Sequence, residues 1–200
     1  MQALERKYPT KPTTTGQIER IEGEYIRHGT LCLMASFHIA SGLVITSKIG
    51  QTRTEHDFSE HIRCTVAIDP CASWVFVADQ LNTHMSEQLV RMVAELCGIK
   101  EELGVKGKMG ILKTKASRKK FLEDKSHRIR FVYTPRHCSW LNQVEIWFSI
   151  LARRFLKRGS FVSTEDLHEQ LKKFIEYFNA VLAKPFKWTY TGKPLEAGVR

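Results

Sequence analysis

Short apolar runs of strand length alternate along this chain with longer segments whose apolar residues recur at helical spacing. The strand-like runs are Thr30–Phe37, Leu43–Thr46, Ser73–Ala78 and Arg128–Tyr133, and the helix-like segments are 54–68, Met85–Cys97, Ser139–Leu156 and a stretch opened by the capping-box sequence Ser163–Asp166. The first two runs are joined by His38–Gly42, a connection typical of a hairpin. Strands followed by alternating strands and helices predict a mixed α/β domain built in layers.

Three segments differ in character from this core. Residues 1–23 are polar and contain Pro12 and a run of three threonines, so they are predicted to be an extended or looped lead-in. Residues 99–128 are rich in lysine, which indicates an insertion or long loop with a short helix near Arg118–Leu122. The domain is therefore predicted to span 24–190, with a tail at 191–200.

The chain is strongly basic. Its formal net charge is +10, and the cations are clustered, which favours a polyanionic partner such as nucleic acid over a basic surface kept for solubility. No apolar run reaches the roughly 20 residues of a membrane helix, and the first residues lack the apolar core of a signal peptide. The five cysteines include no Cys-x-x-Cys pair, which indicates reduced thiols in the cytoplasm and argues against structural zinc.

Asp79 follows the apolar run Ser73–Ala78 and precedes a polar stretch that contains His84. An aspartate at the end of a strand can simply form a turn or cap the next helix. In open α/β sheets, however, ligands gather at the carboxyl ends of strands, so Asp79 is also a candidate ligand of a divalent cation. His84 is predicted near the start of the next helix, where it either orients the substrate or a carboxylate, or serves as a structural cap.

Glu145 lies on the predicted helix Ser139–Leu156. At 100° per residue, the apolar side chains form one arc, and Asn142 lies opposite; the arc consists of Trp140, Val144, Trp147, Phe148, Leu151 and Phe155. Glu145 falls at the border of the two faces, where a carboxylate is fixed by packing and still open to a substrate. The alternative is an ordinary solvated glutamate on an amphipathic helix.

The segments around these two acids resemble motifs of the mariner-type insertion-sequence transposases. Val75–His84 is similar to the second acidic motif of that DDE superfamily, Thr134–Phe148 is similar to the third, and Tyr25–Thr30 resembles an upstream part of the same domain. The resemblance covers nearly the whole chain. It implies an α/β fold of the ribonuclease-H-like type, a mixed sheet flanked by helices, and an Asp-Asp-Glu triad that holds two Mg²⁺ or Mn²⁺ ions.

By this resemblance Asp79 is the second catalytic, metal-binding acid and Glu145 the third, with His84 and Asn142 supporting them. The family carries its first aspartate on the first strand, but the first clear strand here, Thr30–Phe37, has none. The first strand of the fold is therefore expected to be incomplete or missing, its acid having preceded Met1. The expected function is an insertion-sequence transposase that cuts and joins DNA by metal-dependent phosphoryl transfer, impaired because two carboxylates hold two ions poorly. The alternative is a non-catalytic remnant that binds DNA or dimerises.

DNA, as transposon ends and target, is the expected partner. Two groups of cations are predicted to contact its phosphates, with solvated surface as the alternative: Lys113, Lys115, Arg118, Lys119 and Lys120, and then Arg153, Arg154, Lys157 and Arg158. The resemblance further implies a homodimer and a cytoplasmic, nucleoid-associated prokaryotic protein. Neither a small-molecule substrate nor a membrane partner is expected.

Overall fold

The computed structural model describes residues 1–8, 11–20, 23–135, 138 and 141–185. These contain six strands and five α-helices: β1 Gln2–Arg6, β2 Tyr25–Thr30, β3 Cys32–His38, β4 Leu43–Gly50, α1 Glu55–Val66, β5 Trp74–Ala78, α2 Glu87–Leu96, α3 Lys115–Leu122, β6 Ile129–Tyr133, α4 Val144–Leu151 and α5 Thr164–Tyr177. A 3₁₀ turn, Asn82–Met85, precedes α2, and π-helical turns, Ala152–Leu156 and Phe178–Leu182, extend α4 and α5. The predicted mixed α/β class is confirmed.

The strands pair as three two-stranded sheets within the described residues: β1 with β2, β3 with β4, and β5 with β6. The first two pairs are antiparallel and the third is parallel. The hairpin predicted around His38–Gly42 is confirmed by the β3–β4 pairing. In the described part of the chain no hydrogen-bonded ladder joins the sheets into the continuous sheet that the ribonuclease-H-like expectation requires.

The segment predicted as a lead-in contains β1. Ala3 is fully buried and packs in a small cluster with Leu31, Phe161 and Leu167. The amide of Phe161 also donates a hydrogen bond of 2.9 Å to the carbonyl of Leu4. Residues 2–6 are therefore an integral part of the fold. The predicted tail 191–200, the end of the predicted domain at 190, and Trp140 lie outside the described residues.

The β3–β4 hairpin is covered on both faces. Ser36 and Thr46 hydrogen-bond to side chains of α1. Val44 packs on the other face in a cluster with Trp147 of α4, Leu171 of α5 and further apolar residues. At the outer edge of β4, the Asn179 side chain accepts a hydrogen bond from the Val44 amide and donates one to its carbonyl, both 2.9 Å long. This edge is thus closed by a side-chain amide.

The β5–β6 pair is covered on one face. Ile129, Phe131 and Tyr133 are buried in the largest apolar cluster, together with Leu89 of α2 and Leu122 of α3. The opposite face leaves Val75 50%, Val77 41% and Val132 43% exposed. The apolar run Ser73–Ala78 was predicted to be a strand, and β5 confirms it, but its valine face is half exposed because no described helix covers it.

The lysine-rich segment 99–128 is folded against the core. Leu112 and Leu122 are completely buried, and α3 occupies the second half of the segment. Thr114 caps α3 through a reciprocal pair of hydrogen bonds with Ser117. Gly104 and Gly110 adopt positive φ angles of 81° and 72°. A β-carbon on Gly104 would collide with the backbone of Met109 and Gly110, and one on Gly110 would collide with the backbone of Leu103 and Gly104. A short helix was predicted here, and α3 confirms it.

The helices that carry or adjoin the candidate site begin at clear caps, with one exception. Thr54 and Ser86 accept hydrogen bonds from Asp57 and Leu89 at the starts of α1 and α2, close to the predicted bounds. Helix α4, however, begins at Val144 rather than near Ser139, and no side-chain cap bond precedes it. Asn142, predicted on the polar face of that helix, therefore lies in the turn before it.

Candidate metal and nucleic-acid site

A cavity of about 810 Å³ lies between the β3–β4 sheet and the β5–β6 sheet, and the candidate residues border it. Its walls include every residue of β3 and every residue of β5. Asp79 and His84 border it after β5, and Asn142, Gln143 and Glu145 border it at the start of α4. The four residues singled out for chemistry in the sequence thus line one cavity, which we name the central cleft.

Asp79 is held by the turn that follows β5. Its Oδ1 accepts a hydrogen bond from the Leu81 amide at 3.2 Å and lies 2.6 Å from His84 Nδ1. The carboxylate is 40% exposed, and Oδ2 makes no hydrogen bond with other described residues. The turn interpretation and the ligand interpretation of Asp79 are therefore compatible, because each uses a different oxygen.

His84 is positioned from three sides. Its ring lies against Phe58 of α1, with 4.2 Å between centroids. Its carbonyl accepts a hydrogen bond of 2.6 Å from the Tyr133 hydroxyl, and its Nδ1 faces Asp79. Burial, with the nearby Glu123 carboxylate, raises the pKa of Tyr133 well above its usual range, so the phenol stays a donor. His84 is thus held in contact with Asp79, and it belongs to the 3₁₀ turn rather than to α2.

Glu145 lies in the first turn of α4 and is exposed. Its amide donates a hydrogen bond of 3.0 Å to the Asn142 carbonyl, while its carboxylate makes no bond or ion pair with another described residue. The partial positive charge of a helix amino end favours an anion at this position. Val144, Trp147, Phe148 and Leu151 form the apolar side of α4, as predicted.

The donor chemistry of the central cleft suits a hard divalent cation, but the number of donors does not. Such ions take carboxylate oxygens, and Asp79 and Glu145 supply them. Among the described residues, however, no group of three or more His, Cys, Asp or Glu side chains is close enough to hold a metal ion. The two acids do not form a complete site by themselves, and no reaction step follows from them alone.

A polar network on the wall of the central cleft was not anticipated from the sequence. His61 Nε2 lies 2.9 Å from Ser36 Oγ, which in turn contacts Thr65 Oγ1 at 2.9 Å, and Thr65 Oγ1 lies 2.6 Å from Thr46 Oγ1. His61 is buried, and that burial, with the nearby Lys48 cation, lowers its pKa to about 4. The signal was present, since His61 and Thr65 flank the predicted apolar position Ile62 at helical spacing.

The first group of predicted DNA contacts includes residues that are bonded within the fold and residues that are open to solvent. Arg118 is committed to the fold, since it donates hydrogen bonds of 2.8 Å to the carbonyls of Met85 and Leu112. Lys115 donates to Gln80 and Asn82 in the turn after Asp79, at 3.0 and 2.7 Å. Lys113 and Lys120 are exposed, and Lys119 lies partly buried over the Tyr133 ring. Positive charge therefore lies close to Asp79.

The second group of cations forms an exposed cluster at the end of α4. Its members are Arg153, Arg154, Lys157 and Arg158. Within the described part of the chain their charged groups make no ion pair, so the charge is open to an external anion. No helix of the described residues is long and apolar enough to span a membrane.

Comparison with known proteins gives one match. A family model described as "DDE superfamily endonuclease" matches residues 3–168, which contain all but the first residue of β1, the whole of β2 to β6 and both acids of the central cleft. No curated protein and no solved structure shows significant similarity to the chain.

Proposed function

The chain belongs to the DDE superfamily endonucleases, and from that membership we propose that it is a transposase of an insertion sequence that acts on DNA. Endonucleases of this superfamily generally use divalent metal ions. The observation that carries the proposal is the central cleft, in which a strand-end aspartate and a helical glutamate, distant in sequence, border the same cavity. The high positive charge supports DNA as the partner.

Each residue of the central cleft has a proposed role. Asp79 and Glu145 are the metal ligands and catalytic acids. His84, which contacts Oδ1 of Asp79, holds the orientation of that carboxylate, and Asn142 helps to place the glutamate through its carbonyl contact with the Glu145 amide. Bound divalent ions in such a site would polarise phosphate oxygens and activate the attacking hydroxyl.

We further propose that the chain by itself is impaired in cutting and joining DNA. The described residues bring two carboxylates to the central cleft and no third. Two carboxylates offer too few anionic oxygens to neutralise and hold a pair of divalent ions. An added carboxylate, supplied from outside the described residues, would be needed to complete the site.

A second candidate is a non-catalytic DNA-binding or dimerising remnant. The observation that favours it is the same missing third ligand, taken together with an intact fold and an exposed cluster of cations. The two candidates share the fold and the affinity for DNA. They differ in whether an added carboxylate restores cutting.

A plasmid nicking and strand-transfer assay in Mg²⁺ or Mn²⁺ tests these proposals. We expect salt-sensitive DNA binding and no cutting above background. The Asp79→Asn and Glu145→Gln variants test the two acids, and Glu176→Gln, an exposed glutamate on α5, is the matched control. Strong cutting that is lost in the first two variants and kept in the control would confirm the assigned acids and disprove the impairment. Failure to bind DNA at low salt would contradict the transposase and the DNA-binding remnant, and would leave only a remnant that dimerises.

A further inference from the structure

Residues within 150–158 and 174–184 line a second cavity, of about 1030 Å³, which we name the basic groove. Phe155 stacks on Phe174 with 5.1 Å between ring centroids, and Trp147 meets Phe178 edge-on at 6.2 Å, so α4 and α5 lie side by side and run in opposite directions. None of the described residues that line the groove borders the central cleft. Each helix is extended at the groove by a π-helical turn, and such turns are rare and occur frequently at functional sites.

Exposed apolar surface and positive charge meet in the basic groove. Tyr177 and Val181, on successive turns of α5 and its π-helical extension, leave 51% and 58% of their surfaces exposed. Four exposed cations also line the groove: Arg153, Arg154, Arg158 and Lys184. None of the four forms an ion pair within the described part of the chain, and no carboxylate of that part lines the groove. The groove therefore suits a partner that is both apolar and anionic.

The size and shape of the basic groove fit a helix. One wall runs from Ile150 to Arg158 and the other from Phe174 to Leu182, and each span corresponds to about 12 Å of helix. A third helix about 10 Å in diameter and about 12 Å long occupies about 940 Å³, which is close to the groove volume of about 1030 Å³. An apolar groove is also a common docking site for an amphipathic helix.

Nucleic acid fits the basic groove less well. Duplex DNA presents chiefly charged phosphates, which would leave Tyr177 and Val181 uncovered. Single strands bind to platforms on which successive bases stack against aromatic rings. Of the aromatic residues that line the groove in the described part of the chain, Tyr177 is exposed, whereas Phe174 is half-buried and Phe178 is buried. One exposed ring does not make such a platform.

The chain itself does not supply a matching occupant. A symmetric contact between two copies through the basic groove would set the same cations against one another. The described α-helices bury their apolar sides in the chain's own core, so a second copy presents no free apolar helix face there. Residues 186–200 carry Lys187, Lys193 and Arg200 against a single acid, Glu196, so they would add positive charge. The fitting partner is therefore another protein.

We propose that the basic groove binds an acidic amphipathic helix of another protein. About two turns of that helix lie along the groove, with apolar side chains against Tyr177 and Val181 and with Asp or Glu side chains beside the four cations. This inference goes beyond the proposed function and does not require the chain to cut DNA.

The test uses the full chain and synthetic peptides, with binding measured by isothermal titration at low salt. The probe is an acetylated, amidated peptide of about 18 residues, long enough to form a helix, with Leu at i, i+3, i+4 and i+7 spacing, Glu on both borders of the Leu stripe, and Ala and Gln elsewhere. One control peptide has the same composition in scrambled order, which keeps the charge and removes the stripe. The other replaces each Glu by Gln, which keeps the stripe and removes the charge.

Substitutions in the chain locate the binding site. Val181→Ser tests the apolar floor, and Val162→Ser is its control, because Val162 has the same exposed fraction of 58% and does not line the basic groove. The double substitution Arg153→Gln and Arg154→Gln tests the cations. Its control is Lys157→Gln with Lys173→Gln, which removes two exposed cations outside the groove.

We expect the probe to bind saturably and both control peptides to bind at least about tenfold more weakly. Val181→Ser and the double arginine substitution should each weaken binding at least about fivefold, and their controls less than about twofold. No saturation by about 1 mM probe, equal binding of the probe and the scrambled peptide, or equal losses in the groove variants and their controls would overturn the proposal. An oligothymidine strand that binds more tightly than the probe and loses affinity in Val181→Ser would assign the groove to single-stranded nucleic acid instead.

Competition with duplex DNA separates this inference from the proposed function. Three of the groove cations, Arg153, Arg154 and Arg158, belong to the cluster proposed to contact DNA, so this step rests on the proposed function. Excess probe should weaken duplex binding at least about threefold, and the scrambled peptide, which carries the same charge, should not. If the probe binds and duplex affinity is unchanged, the groove proposal stands and these cations leave the DNA interface. If the probe does not bind, the groove proposal fails, while the DNA assay still decides the proposed function.

Discussion

Protonation of His61 should destabilise the fold between pH 7 and pH 5. The histidine is buried between α1 and the β3–β4 hairpin, and its pKa falls from 6.5 to about 4. Because the folded state resists protonation, the unfolded state binds more protons in this range. The stabilising effect is complete above pH 6.5 and is lost as the pH falls towards 4.

The size of the effect follows from the two pKa values. Linkage gives a loss of about 2 kcal/mol in the free energy of unfolding between pH 7 and pH 5, rising to about 3 kcal/mol at lower pH. Carboxylates interfere little in this window. The pKa of Asp57 is held far below its usual value by Thr52, Thr54 and Lys48, so its stabilising effect is lost only below about pH 4.

Urea denaturation at pH 7 and pH 5 measures the loss. His61→Gln keeps a polar group beside Ser36 and removes the titration, so its pH dependence should be weaker than that of the wild type by about 2 kcal/mol. His56→Gln, an exposed histidine on the same helix, is the control and should follow the wild type. Equal pH dependence in His61→Gln and the wild type would refute the reasoning. If His61→Gln does not fold, an NMR titration of the wild-type His61 ring tests the reasoning instead, and we expect it to give a pKa of about 4.

Three further predictions concern the fold and the DNA interface. Arg118→Gln should lower the free energy of unfolding by about 2–4 kcal/mol, because the Met85 and Leu112 carbonyls lose a charged donor; Lys120→Gln should change it by less than about 0.5 kcal/mol in the same urea titration. Asn179→Ala should cost about 2 kcal/mol in thermal unfolding, since both backbone groups of Val44 lose their partner. Replacing the four cations at the end of α4, Arg153, Arg154, Lys157 and Arg158, with glutamine should reduce the slope of log K against log salt for duplex DNA by about 3 to 4, measured by fluorescence anisotropy; an unchanged slope would remove them from the interface.

Local periodicity was sufficient to locate most helices and strands. The apolar positions of α1 and α2 repeat at helical spacing, and β5 and β6 are short runs bounded by polar residues, so each element is specified by its own sequence. β1 lacks such a signal, because only Ala3 of its five residues is buried. Its formation depends on pairing with β2, which is remote in sequence.

The lysine-rich segment shows a different limit of sequence reasoning. Its composition is typical of a solvated loop, yet Leu112 and Leu122 anchor it in the main core, and Arg118 uses its charge on backbone carbonyls. Composition averages over residues, whereas burial is decided by a few positions. Asp79 and Glu145 were identified from the sequence motifs that flank them. The cavity that both residues border depends on the spacing between separate sheets, which no local sequence pattern encodes.

At Asp79, the contacts that hold the turn can be distinguished from the negative charge that a metal ion would require. One carboxylate oxygen fixes the turn through the Leu81 amide and contacts His84, and an amide side chain would keep the turn bond. The remaining oxygen makes no hydrogen bond with the other described residues, and the proposed metal site would use it together with the charge. A remnant without a working metal site would therefore still need an oxygen acceptor at position 79 to hold the turn. It follows that an intact Asp79 turn is no measure of activity, and that Asp79→Asn isolates the charge from the fold. What decides between a transposase and a remnant is whether a third carboxylate reaches the central cleft.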